Sequence, residues 1–262
     1  MFNLLKEREF IMKTQIKKWL TLYDITNYTI NDDYTIDVDG DVFLCDPVLL
    51  EFPPFIQFGT VNGCFTCYYS KLLTLRGCPS IVKKSFNCSH NNLEDLKGAP
   101  IDVGGIFDCT LNKLSSLKGG PKKVGGDFYC YSNNITTLKG APKMIEGNFD
   151  CSVNNLTTLE GSPKKVGGSF DCEYNNLTSL KGAPEEVVGN FNCYSNNIKN
   201  LKGAPEKVGG DFLCFYNDIT MLEGAPKEVG GDFICRNNTT KFKEEDVKKV
   251  CKVKGKIYVW NY

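Results

Sequence analysis

Apolar positions recur along this chain every 21 residues: Cys67, Cys88, Cys109, Cys130, Cys151, Cys172, Cys193, Cys214 and Cys235 are evenly spaced, and each follows a phenylalanine by two places. Residues two apart share one face of an extended strand, so every Phe-x-Cys predicts a short strand with both side chains inward. A leucine or isoleucine comes five residues after each cysteine from Cys67 to Cys214, and further leucines open the units, as in the stretch from Leu138 to Thr158. No part of the repeat has the length or spacing of a helix. A unit this short cannot bury its own apolar side chains and must stack on its neighbours, so the pattern predicts a solenoid whose parallel strands form a continuous sheet on the concave face.

The connecting residues fit that picture. Asn91, Asn112, Asn133, Asn154, Asn175, Asn196, Asn217 and Asn238 stand three places after their cysteines, where a turning chain needs an amide to satisfy backbone groups of adjacent turns. Gly-Gly pairs such as Gly104-Gly105, Gly125-Gly126 and Gly230-Gly231 are expected to supply positive φ before the strand, and prolines from Pro100 to Pro226 to stiffen the return arm.

The ends differ from the middle. Residues 3–22 carry Leu4, Leu5, Phe10, Ile11, Ile16, Trp19, Leu20 and Leu22 among charged residues, which predicts an amphipathic helix closing the open end of the stack, with membrane association as the alternative. Tyr34 to Cys45 alternates as a strand and carries a first Phe-x-Cys at Phe43 and Cys45, 22 residues before Cys67. Residues 46–64 form an irregular unit. Lys243 to Val253 predicts a short helix and Lys256 to Trp260 a last strand. The expected division is therefore 1–40 as N-terminal helical cap and first strand, 41–238 as solenoid of nine to ten units, and 239–262 as C-terminal cap.

The consensus L-K-G-A-P-x-x-V-G-G-x-F-x-C-x-x-N-N-(L/I) contains F-x-C-x-x-N-x-L, which resembles the L-x-L-x-x-N-x-L core of leucine-rich repeats. Together with the segment from Tyr28 to Val42, it resembles leucine-rich repeat proteins encoded by tailed bacteriophages, over about residues 28–253. More distantly, it is similar to the short leucine-rich repeats of secreted bacterial effectors, whose ligase domain has no counterpart here. The resemblance implies a mainly β recognition solenoid with short helical caps and leaves its ligand open.

Composition narrows the chemistry. Formal net charge is zero, which gives no basic excess for polyanions. No apolar run is long enough to span a membrane and Lys6 to Glu9 break the only early signal-like stretch, so a soluble, cytoplasmic chain is expected. Of thirteen cysteines, the nine at the repeat position, at a strand spacing of roughly 4.8 Å, form a column of free thiols with poor disulfide geometry, which fits a reducing compartment. Cys64-x-x-Cys67 lacks a second pair or a histidine cluster, so no metal or other cofactor is expected. His90 is the only histidine, no Ser/His/Asp set can be named, and the expectation is a protein without enzymatic activity.

Once Phe and Cys point inward, the intervening and following residues line the exposed sheet face. Asp108, Tyr129, Asp150, Asp171, Leu213 and Ile234 precede their cysteines; Tyr131, Glu173, Tyr194, Phe215 and Arg236 follow them; Tyr174 and Tyr216 come one place later. These columns vary while the core columns do not, and their aromatic and acidic content fits a protein-binding face for a basic partner. The lysines of L-K-G-A-P and of the next positions lie on another side, where glutamates interrupt them. Three functions follow: capture of a host protein, such as a defence component, by a phage accessory protein; an acidic decoy imitating nucleic acid; and a virion or assembly component.

Overall fold

A computed structural model describes residues 2–259, with side chains from residue 6. Eleven short strands, from Val42–Phe43 to Ile257–Tyr258, form one sheet in chain order. Every pairing is parallel and the repeat register is strict: Phe107 lies opposite Phe128, Phe128 opposite Phe149, and Phe149 opposite Phe170. The fold is a mainly β, leucine-rich-repeat-type solenoid with few helices.

Five side-chain columns fill its interior. Phenylalanine and cysteine come from the sheet, two leucine or isoleucine columns from the far arm, and one valine or isoleucine column from a second line of strands; nearly all are fully buried. Phenylalanine rings from Phe65 to Phe233 lie on one another with centroids 5.1 to 5.7 Å apart, and each such burial contributes on the order of 2 kcal/mol. The cysteines are unpaired. Burial pushes thiols such as Cys109 and Cys151 well above their ordinary value, which leaves them inert packing groups.

The asparagine ladder joins the turns. Asn154 Nδ2 donates to the carbonyls of Cys130, Cys151 and Ser152 at 3.1, 3.2 and 3.0 Å, and its Oδ1 accepts the Ile135 N–H at 2.9 Å. The same set recurs at Asn91, Asn112 and Asn175, so buried polar groups at the bend are satisfied by the neighbouring turn.

The second line of strands was not foreseen. Valine alternates there with an outward residue, as in Lys123–Val124 and Lys165–Val166. This ladder is broken once, between Lys123–Val124 and Met144–Ile145, into two six-stranded sheets.

Three expectations are corrected. The Gly-Gly pairs do not adopt positive φ; that conformation belongs to Gly98, Gly140 and their equivalents after L-K, and to the residue two after each cysteine. Gly104 is required by contact instead, because a Cβ there would run into the Lys83 carbonyl oxygen of the turn before. Phe43 and Cys45 are exposed, while Val42 and Leu44 are buried and Val42 pairs with Phe65; the frame is one residue earlier than read, which reverses every side chain. Lys252–Val253 is a strand extending the valine ladder, not the end of a helix.

Helix α1 (Phe2–Leu22) covers the N-terminal end with Ile16, Trp19 and Leu20. The Trp19 ring meets Phe52 and Phe58 edge-on at 6.1 and 6.3 Å, so residues 46–64 supply the floor on which the helix sits. Phe10 and Leu22 are exposed, and the side chains of Leu4 and Leu5 lie outside the described residues. Helix α2 (Glu244–Lys248) closes the other end by burying Val247. Trp260 lies outside the described residues.

Candidate functional site

The outward columns of the long sheet are more constrained than their variation suggested. Asn87, Asp108, Asp150, Asp171 and Asn192 each accept, through Oδ1, the N–H two residues on, at 2.9 to 3.2 Å. This Asx turn leads the chain into the left-handed conformation at the following residue, where Leu111, Val153 and Tyr174 have φ of 53°, 52° and 48°. The carboxylates at these positions therefore hold the bend and still present a second oxygen outward. Ser89, Thr110 and Ser152, expected on the exposed face, are buried.

Asp127, Asp211 and Asp232, each just before its phenylalanine, have another task. Each Oδ1 accepts a backbone N–H of the next turn, from Asn148, Asp232 and Lys256 at 2.6, 2.7 and 2.7 Å. Asn148, Ser169 and Asn190 do the same in the intervening turns. Asp127 Oδ2 also accepts the Tyr129 hydroxyl at 2.7 Å, and burial with this bond pushes that phenol up to about 12.

What remains open is a contiguous patch in the C-terminal half. Asp150 and Asp171 are register partners on adjacent strands. Asn192 on the next strand donates from Nδ2 to Asp171 Oδ2 at 3.1 Å and to Glu173 Oε2 at 2.7 Å. Burial is the first cause of raised pKa values here: Asp150 and Glu173 move upward, and Asp171 reaches about 7, with the Asp150 and Glu173 charges adding to it. Beside the acids, Tyr174 meets Tyr194 edge-on at 4.9 Å, and Tyr194 stacks on Phe215 at 4.6 Å with an interplanar angle of 1°. Phe215 also contacts Tyr216 at 5.7 Å, and the Arg236 guanidinium lies 5.4 Å from its centroid. Tyr174 and Tyr216 are exposed, whereas Tyr194, Phe215 and Arg236 are half-buried. Burial raises the Tyr194 phenol above its ordinary range.

A solved structure is similar. It is YopM from Yersinia enterocolitica WA-314, at 19% sequence identity and a TM-score of 0.48 over 76% of this chain and 47% of that one. This chain thus spans about half the length of the protein it matches. No protein-family model matches the sequence, and no curated protein matches it.

Of the residues singled out from sequence, Asp150, Asp171, Glu173, Tyr174, Tyr194, Phe215, Tyr216 and Arg236 form this connected patch. Leu213 and Ile234 are register partners on the adjoining strands. Asp108, Tyr129 and Tyr131 lie on earlier turns of the same sheet, where Asp108 also accepts the Thr110 hydroxyl at 2.8 Å. Asn192 was not singled out, although its place in the aspartate column put it between the two carboxylates. Among the described residues no group of three or more His, Cys, Asp and Glu side chains is arranged to hold a metal ion, and no helix is long and apolar enough to cross a membrane. An open, ordered face with aromatic rings and paired acids is suited to holding a protein surface by burial and charge.

Proposed function

We propose that the chain is a non-enzymatic protein-binding solenoid whose sheet face, from Asp150 to Arg236, captures a protein with a basic, apolar-rimmed surface. One observation carries this reading: Tyr174, Tyr194, Phe215 and Arg236 form a continuous stack beside Asp150, Asp171 and Glu173. Rings held by one another lose little freedom on binding, and tyrosine and arginine dominate interface energetics. The resemblance to phage-encoded repeat proteins supports a bacterial host protein as partner, inhibited by occlusion in the host cytoplasm. A nucleic-acid decoy fits less well, because imitation of a polyanion by charge alone makes no use of the ring contacts among Tyr174, Tyr194 and Phe215.

The test is affinity capture from bacterial cells with the wild-type chain and with Tyr194→Ala/Phe215→Ala. A single host protein held by the wild type and lost by the folded variant supports the reading. Retention by the variant moves the site elsewhere, and release by competing DNA at moderate salt favours the decoy.

A further inference from the structure

The opposite flank carries a surface of different character. In the valine ladder the two positions before each valine point outward and are mostly charged: Lys122 and Lys123, Lys164 and Lys165, Glu185 and Glu186, Lys227 and Glu228. Ile101 and Met144 break this rule, at 55% and 59% exposure. Met144 lies just past the single interruption of that ladder, between Lys123–Val124 and Met144–Ile145, and Ile101 one turn before the strand that precedes it. An open groove of about 740 Å³ lies there, with Ile101, Pro121, Pro142 and Met144 among its walls. Gly120 is at its edge, where the repeats on either side have Ala99 and Ala141, so a methyl group that packs on the core elsewhere is missing.

Charge around the groove is one-sided. From Glu160 onward, lysines pair with glutamates of adjacent turns: Lys181 with Glu160 at 2.7 Å, Lys202 with Glu223 and Lys227 with Glu206 at 3.0 Å, and Lys164 with Glu185 at 3.6 Å. Among the described residues Lys122, Lys123 and Lys143, which line the groove, are in no such pair. Glu146 is the one acid in the lining. Exposed apolar side chains within a lysine rim select an occupant with the reverse arrangement.

We propose that this groove binds an acidic polypeptide segment, with one apolar side chain seated between Ile101 and Met144 and flanking carboxylates meeting Lys122, Lys123 and Lys143. The chain then has two docking surfaces of opposite charge on different flanks, and the second stands or falls independently of the first. A polyanion held by charge alone leaves the apolar walls unused.

The test is fluorescence anisotropy of the full chain with a labelled peptide of glutamates around a central phenylalanine. Polyglutamate of equal length and single-stranded oligothymidylate serve as competitors. The expected result is binding of the phenylalanine peptide that weakens about tenfold in Lys122→Glu/Lys143→Glu and severalfold in Met144→Ser, while Tyr194→Ala leaves it unchanged. Equal affinity for polyglutamate, tighter binding of oligothymidylate, or indifference to the groove variants overturns the proposal. So does concentration-dependent dimerisation abolished by those same variants, which makes the groove a contact between two copies.

Discussion

Replacing Asp171 with asparagine tests the electrostatics of the sheet face. In the folded chain this carboxyl rises from its ordinary 3.8 to about 7, chiefly by burial. At about 1.4 kcal/mol per decade, the charged form is disfavoured by up to roughly 4 kcal/mol, and solvent at this half-buried position reduces that to about 2 kcal/mol. Between pH 3.8 and about 7 the folded chain keeps a proton that the unfolded chain has released, so stability falls as pH rises through that window. Asp150 and Glu173 act in the same direction. Asparagine retains the Oδ1 that accepts the Glu173 N–H at 3.0 Å and loses the bond from Asn192. Urea unfolding followed by circular dichroism, near pH 4 and near pH 8, reads the effect: Asp171→Asn should gain about 2 kcal/mol relative to the wild type between the two conditions. An equal difference at both pH values, or a variant that loses ground at the higher one, refutes the reasoning.

Three further outcomes can be measured in the same way. Asn154→Ala leaves the Ile135 N–H and three carbonyls without their partner and should cost at least about 3 kcal/mol, whereas the exposed neighbour Asn155→Ala should change little. Val153 is a β-branched residue held at φ 52°, and Val153→Asn should stabilise the chain by about 1 kcal/mol, read as a raised melting temperature. Cys151→Asp places an unpaired charge in the closed core and should unfold the central turns, seen as loss of amide protection in hydrogen exchange, while Cys151→Ala should keep them folded at a cost of about 1 kcal/mol.

The interior was legible because period and parity coincide there. Phe149 and Cys151 are two apart in every copy, and one strict interval allows a single register. At Phe43 the same motif misled, because the turn from Val42 to its partner Phe65 spans 23 residues rather than 21, so Phe43 falls one step out of frame and inside is exchanged for outside. The glycine pairs misled differently: glycine serves positive φ and close approach alike, and only the position of the Lys83 carbonyl against Gly104 separates the two. Asp127 and Asp171 are both aspartates next to a phenylalanine of the long sheet. Backbone geometry divides them, since the first caps an N–H of the next turn and the second keeps an oxygen turned outward toward Asn192. The valine ladder was hidden by its brevity, two residues per strand, and the groove beside Met144 by lying at a break that no local pattern marks.

The central claim is that a protein docks on the face built from Tyr174, Tyr194 and Phe215. The most direct measurement replaces Tyr174, which is 50% exposed at the edge of that stack, with a photo-crosslinking phenylalanine in bacterial cells. Lys207 on the valine ladder is the matched control. A discrete adduct with one host protein from position 174, absent from position 207, is the expected result. Adducts from 207 alone, or the same products from both positions, contradict it.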